Sequence, residues 1–267
     1  MALGAEALVV WAERLFRAEG ERRPIPPLTE EEPGITVQEA YRVQLEVVRR
    51  KLALGETVVG HKIGLTSRPM QEMFGVGEPD YGHLFRSMAY ESGSEIDYPL
   101  LQPRVEAEIA FILKRDLEGP GLGIHDVLQA TDYVVPAIEV VDSRIENWRI
   151  KLPDTVADNA SSGCFVLGGR PTRVEDVDLE LVGMVLSEDG EVVQTGAGAA
   201  VLGHPAFAVA WLANKLAEFG TPLKAGHVVL SGAVSAAVAA KAGSRYVVNF
   251  GKLGRVEAVF PQQEGEA

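Results

Sequence analysis

The 267-residue sequence predicts an α+β protein: a helical N-terminal segment over residues 1–57, joined to a mostly antiparallel, β-rich core over residues 58–267. Three observations carry that expectation. A helix-period stripe with its own capping residues runs up to Gly55; from Val58 onward short apolar runs bounded by glycine and proline replace it; and 46% of the residues are hydrophobic, enough for one sizeable core.

The first stretch, "ALVVWAERLF", is preceded by Glu6 and interrupted by Glu13 and Arg14. It has no basic leader, so the expectation is a surface helix, neither a signal peptide nor a membrane span. "GERRPIPPLTEEEPG", rich in proline and charge, reads as an extended connector. In "ITVQEAYRVQLEVVRRKLALG", Thr36 and Glu39 have capping-box spacing, Tyr41, Leu45, Val48 and Leu52 make one apolar stripe, and Gly55 is the stop. Strands are expected in "TVVGHKIGL", "EAEIAFIL", "YVVPAIEVV", "GCFVLGG", "LELVGMVLS", "HVVLSGAV" and "SRYVVNFGKLGRVEAVF". One further helix is expected in "HPAFAVAWLANKLAEFG", with Pro205 in its first turn, apolar Phe207, Trp211 and Leu216, and Gly220 closing it.

The balance of 38 acidic against 25 basic residues gives a net charge of -13, a field that repels a phosphate backbone, so nucleic acid is not an expected partner. No apolar run is long enough to span a bilayer, and the single cysteine, Cys164, suits a reducing compartment, with cytoplasm the default. "TGAGAAVLGHP" is glycine-rich ahead of a helix, but it lacks the Walker pattern and no lysine follows.

Chemistry is concentrated elsewhere. In "PRVEAEIAFIL", strand alternation puts Arg104, Glu106 and Glu108 on one face and Val105, Ala107 and Ile109 on the other. Alone, that reads as a solvated charged face. Glu139, inside the apolar "YVVPAIEVVDS", does not: a carboxylate without a partner there costs several kcal/mol, so a cation must meet it, an arginine or a metal. Three carboxylates on two strands, without histidine or cysteine, suit a hard dication such as Mg²⁺ or Mn²⁺. Lys62, between Gly60 and Gly64 in "VVGHKIGL", is either a snorkelling lysine or one held near a reacting centre, where burial and a metal would lower its pKa toward neutrality. Asp80 in "GVGEPDYGHL" and Asp158, Asn159, Ser161 and Ser162 in "DTVADNASSG" read equally as turn formers or as site residues.

Taken together, "GHKIGLTS", "EPDYG", "QPRVEAEIAFIL", "PAIEVVDSRIENW", "DTVADNASSG" and "GAGAAVLGHP" resemble the 2-keto-4-pentenoate hydratases and their relatives in the fumarylacetoacetate hydrolase superfamily, over nearly the whole chain. The resemblance implies a mixed β-roll core, Mg²⁺ or Mn²⁺ held at Glu106, Glu108 and Glu139, acid/base roles for Lys62 and Asp80, and substrate contacts at Leu65, Asn159 and Ser161. It implies hydration of 2-hydroxypenta-2,4-dienoate to 4-hydroxy-2-oxopentanoate in meta-cleavage catabolism of aromatic compounds. The alternatives are 2-oxohept-4-ene-1,7-dioate hydratase and 4-oxalocrotonate (2-oxo-3-hexenedioate) decarboxylase; in the decarboxylases an aliphatic residue usually stands where this chain has Asp80. The resemblance also implies a small-molecule 2-hydroxydienoate or 2-oxo acid substrate and a homo-oligomer, pentamer or decamer. It makes a related decarboxylase and the downstream aldolase candidate partners.

Overall fold

Three helices lead the chain: α1 (Ala5–Gly20), α2 (Leu28–Glu31) and α3 (Val37–Ala53). They belong to a computed structural model that describes residues 4–262. The Thr36 hydroxyl accepts from the Glu39 N–H at 3.2 Å, and the Glu39 carboxylate accepts from the Thr36 N–H at 2.8 Å, so the capping box closes as the sequence predicts. Gly55 follows the helix end at φ 94°, a backbone state that favours glycine.

The buried stripe of α3 differs from the expected one. Leu45 is half-buried and Leu52 exposed, while Tyr41, Val43, Gln44, Val47 and Val48 are buried. The helix packs against α1 on one side and against α6 (Leu152–Ala157) on the other, so two adjoining faces are covered. Gln44 is tolerated inside because its amide donates to the carbonyls of Tyr81 (3.0 Å) and Val156 (2.7 Å). The connector is not fully extended either: α2 lies within it, anchored where Thr29 donates its N–H and hydroxyl to the Asp154 carboxylate at 2.9 and 2.8 Å.

Beyond residue 57 come β1 (Val58–Gly64), α4 (Arg68–Phe74), β2 (Asp80–Phe85), β3 (Ala89–Glu91), β4 (Arg104–Leu113), α5 (Ile124–Ala130) and β5 (Thr131–Val141). After α6 follow β6 (Ser162–Leu167), β7 (Gly183–Glu188), β8 (Glu191–Ala197), α7 (Pro205–Ala217), β9 (Val228–Leu230), β10 (Val238–Ala239), β11 (Arg245–Phe250) and β12 (Gly254–Val259). The larger sheet runs β2-β1-β9-β4-β5-β6-β3, with β10 paired to β4; the smaller runs β12-β11-β7-β8. Among the described strands, β1 with β9 and β3 with β6 pair in parallel and the other ladders are antiparallel, so the larger sheet is mixed, the smaller one antiparallel, and the whole mostly antiparallel, as expected.

Strands β4 and β5 lie at the centre of the larger sheet, and β5 is buried almost throughout. Phe111, Phe165, Ile109 and Tyr81 are among the fully buried side chains around them. In α7 the buried face is built from Ala206, Ala208, Ala210, Leu212 and Ala213 with Leu216, while Phe207 points outward and Trp211 is half-buried. Small alanines, rather than the expected Phe207 and Trp211, make most of the buried face of this helix. Among the described residues, no helix is long and apolar enough to cross a membrane.

Candidate active site

Register assembles the site. On β4 and β5, Glu106 stands directly opposite Glu139, and Glu108 shares the Glu106 face two residues along. One carboxylate oxygen from each of the three falls within 4.8 Å of the others. Glu108 and Glu139 are fully buried and Glu106 half-buried, so this strand face is not the solvated one that alternation alone would allow.

The cation that Glu139 demands among the protein's own groups is Lys62: its Nζ lies 3.2 Å from Glu139 Oε1, with both side chains out of solvent. The contact is an ion pair without hydrogen-bond geometry, which leaves both Glu139 oxygens and Glu108 Oε1 without a hydrogen-bond partner among the described residues. The other Glu108 oxygen accepts from the Gly232 N–H at 2.7 Å. Gly232 sits at φ 111°, and a Cβ there would lie 2.1 Å from Thr66 Oγ1, so glycine is required on both counts.

Burial pushes Glu106 up to about 7, with the Glu139 charge adding to it and Lys62 opposing it. Burial, then Glu139 and Glu106, drives Glu108 well above the carboxylate range. Three converging carboxylates that repel one another, two of them fully buried and with unpaired oxygens, fit a hard dication.

Asp80 begins β2 opposite Gly64 on β1, and Lys62 pairs with Gly82. An added Cβ at Gly64 would lie 2.2 Å from Asp80 Oδ1 and 3.5 Å from Lys62 Nζ, so both side chains crowd over this glycine. Asp80 is buried, and its Oδ1 has no hydrogen-bond partner among the described residues. Burial pushes its carboxyl up to about 6, Lys62 pulling down and Glu139 pushing further up. Burial alone would lower the Lys62 pKa, but the charge of Glu139, then of Asp80, Glu106 and Glu108, outweighs it and holds the ammonium above the ordinary lysine value. The expected depression toward neutrality is therefore not produced by the protein's own groups.

The remaining residues singled out in the sequence are more dispersed. Leu65 follows Gly64 at φ 55°. Asn159, Ala160 and Ser161 form three successive left-handed residues (φ 56°, 51° and 51°). The Asn159 amide grips the main chain of β2, accepting from the His83 N–H at 2.8 Å and donating to its carbonyl at 2.9 Å, while Ser161 Oγ lies 3.1 Å from Thr155 Oγ1. Sequence reasoning missed Arg144, which holds this turn. Its guanidinium bonds the Asp158 carboxylate (2.5 Å) and the carbonyls of Asp142 (2.8 Å) and Ser162 (2.7 Å). The available signal was an arginine, in "DSR", just after the apolar run that holds Glu139 and a short way before the single aspartate of "VADNASS". In "TGAGAAVLGHP", Gly198 makes room for the Leu179 carbonyl, 1.8 Å from where a Cβ would be, so its smallness serves backbone packing.

This carboxylate triad, with a lysine and an aspartate beside it on a mixed β core, lies inside a stretch of sequence that matches a known family. Residues 55–260 match the fumarylacetoacetate (FAA) hydrolase C-terminal family, and the chain belongs to it. It is 47% identical over 253 residues to the 2-hydroxyhexa-2,4-dienoate hydratase of Comamonas testosteroni, covering 94% of this chain and 96% of that one. Against the 2-keto-4-pentenoate hydratase of Paraburkholderia xenovorans (strain LB400), identity is 48% over 254 residues, covering 95% and 94%. Among solved structures, the 4-oxalocrotonate decarboxylase from Pseudomonas putida G7, complexed with magnesium and adipate, superposes with a TM-score of 0.94 at 43% identity, covering 97% of this chain and 98% of that one.

Proposed function

We propose that this chain is a metal-dependent hydro-lyase that adds water to 2-hydroxypenta-2,4-dienoate (2-keto-4-pentenoate), giving 4-hydroxy-2-oxopentanoate in the catabolism of aromatic compounds. The observation that carries the reading is the convergence of Glu106, Glu108 and Glu139, with unpartnered oxygens on Glu108 and Glu139, beside Lys62 and Asp80, in a chain nearly half identical to named hydratases.

Glu106, Glu108 and Glu139 would hold Mg²⁺ or Mn²⁺. When bound, the metal supplies Lewis-acid stabilisation of the charge that develops on the substrate's 2-oxygen. The chain's own groups then handle protons. The 2-hydroxyl proton leaves and a proton is delivered to C5, which makes C4 electrophilic; the oxygen of water bonds C4 and a proton goes to C3. Lys62, an ammonium that the surrounding carboxylates hold above the ordinary lysine value and that the charge of a bound dication would make more acidic, would donate, and Asp80, with a pKa of about 6, would orient water and accept its proton. Leu65, Asn159 and Ser161 are the proposed substrate contacts, Asn159 through its main chain because its amide is engaged with His83.

A second reading, decarboxylation of 4-oxalocrotonate, is favoured by the likeness to the decarboxylase structure. The same charge would develop on the 2-oxygen there by loss of CO₂, and Asp80 is the residue that argues against it, since a second substrate carboxylate near it meets like charge in a dry site. The test is product analysis by NMR of the purified protein with Mg²⁺, on freshly generated 2-hydroxypenta-2,4-dienoate and on 4-oxalocrotonate. Formation of 4-hydroxy-2-oxopentanoate with little CO₂ release is the expected result. Efficient CO₂ release with poor hydration would transfer the assignment to the decarboxylase. We place the protein in the cytoplasm as a homo-oligomer, pentamer or decamer, for which light scattering is the check; a monomer at micromolar concentration would contradict it.

A further inference from the structure

In a chain with a net charge of -13, one cavity carries the opposite sign. It measures about 530 Å³ and lies at the start of β4; Arg22, Arg104 and Lys241 line it, and no aspartate or glutamate does. The Lys241 ammonium is already engaged by Glu188 at 2.7 Å. Arg22 and Arg104 have no salt-bridge partner among the described residues. Half-buried Arg104 lies over the Trp148 ring, 4.4 Å from its centroid, and that ring is held in place by its N–H donating to the Gln102 carbonyl at 3.0 Å. Tyr98 and Phe260 add two more rings to the lining. A guanidinium partly withdrawn from water, and kept from every carboxylate of an acidic protein, has its fork of donors free for an anion from outside; the rings around it give a flat, apolar body a place to lie.

This cavity is not the active site, since Glu106, Glu108, Glu139, Lys62 and Asp80 do not line it. A separate space of about 380 Å³ reaches Glu106, and Arg104 and Trp148 line both. Arg104 also shares the strand face of Glu106, two residues away, and its charge offsets part of the repulsion that Glu106 feels from Glu139 and Asp80. We propose that the larger cavity is a second ligand site, in which Arg22 and Arg104 take the carboxylate of a small aromatic acid, and that its occupant tightens Mg²⁺ binding at the triad. The proposal is independent of which reaction the triad performs. The sign of the coupling follows from charge. An anion paired to Arg104 cancels its field at Glu106, the potential at the triad becomes more negative, and a dication is held more firmly; by reciprocity, bound Mg²⁺ tightens the acid by the same factor.

Benzoate is the probe, titrated into the Mg²⁺-loaded protein and followed by ligand-observed NMR. Benzamide keeps the ring and loses the charge, and inorganic phosphate keeps a charge without a ring. Benzoate should bind with about millimolar affinity, at least about tenfold more tightly than either control. A calorimetric Mg²⁺ titration should then show affinity raised by about threefold or more when benzoate is saturating. Arg22→Gln should weaken benzoate by about tenfold and remove its effect on Mg²⁺ at ordinary benzoate concentrations; Arg22 is exposed, so the fold does not depend on it. Arg104→Gln should do the same, with circular dichroism reporting its fold. Benzoate bound on the metal itself would be indifferent to Arg22, so undiminished binding and coupling in Arg22→Gln would overturn the proposal. Phosphate binding as tightly as benzoate would overturn the aromatic acid as the ligand, and Mg²⁺ affinity unmoved by bound benzoate would overturn the coupling.

Discussion

Gly64→Ala perturbs the site with a single methyl group. The added Cβ would stand 2.2 Å from Asp80 Oδ1, whereas ordinary contact begins at 3.4 Å, so the carboxylate must retreat by about 1 Å. Asp80 is only 2% exposed and cannot swing into solvent. Lys62 Nζ, at 3.5 Å, is already at an ordinary distance and need not move. Gly64 is not in the left-handed region, so alanine brings no backbone strain there. A displacement of this size at an acid/base group costs about 10²-fold, or roughly 3 kcal/mol of transition-state stabilisation. The loss should fall on kcat with Mg²⁺ affinity intact, because the three glutamates belong to other strands. Steady-state kinetics and calorimetry on the same preparation read both. A kcat within a few-fold of wild type would show that the position of Asp80 does not matter to the reaction, and the role assigned to it would fall.

Three other outcomes follow from the same geometry. Lys62→Met keeps the stem and removes the charge beside Glu139, so kcat should drop by at least about 10²-fold in steady-state assays with metal still bound; near-normal turnover would make Lys62 only a buried counter-ion. Because Glu106 is lifted up to about 7 and a ligand carboxylate must be ionised, Mg²⁺ binding should release protons. Its affinity should then climb by up to about tenfold per pH unit below 7 in calorimetry, and pH-independent affinity between 6 and 8 would contradict this. Burial pushes His83 down to about 4, against about 6.5 in an unfolded chain, so below pH 6.5 the unfolded state binds the extra proton. The stability that neutral His83 preserves is therefore present above pH 6.5 and lost as pH falls toward 4, on the order of 3 kcal/mol. Urea titrations of wild type and His83→Gln should show a shallower acid loss in the variant, and parallel pH curves would refute it.

What could be read in the sequence was what depends on local period. Glu106 and Glu108 share a face because a strand repeats every two residues, and Glu139 stood out because its neighbours are apolar. The capping box of α3 was legible for the same reason: its partners are three residues apart. The pairing of Glu106 with Glu139, the reach of Lys62 from β1, and the Gly232 N–H on Glu108 come from strand order and register, which no local pattern encodes. Helices α4, α5 and α6 have 7, 7 and 6 residues, too short to establish a period. The misplaced stripe of α3 has a physical source as well. A helix covered on two sides buries Gln44, a polar residue that hydropathy assigns to solvent and that only its hydrogen bonds to Tyr81 and Val156 make affordable.

The most direct measurement is a calorimetric titration of Mg²⁺ into wild type and into Glu139→Gln. Glutamine keeps the shape of the side chain and removes the charge at the point where β5 faces Glu106 and Lys62. If Glu106, Glu108 and Glu139 form a metal site that the reaction requires, binding should be weakened or abolished, hydration should be lost with it, and circular dichroism should report an intact fold. Undiminished Mg²⁺ affinity in Glu139→Gln would show that the three carboxylates do not act as one site, and the account would fail at its centre.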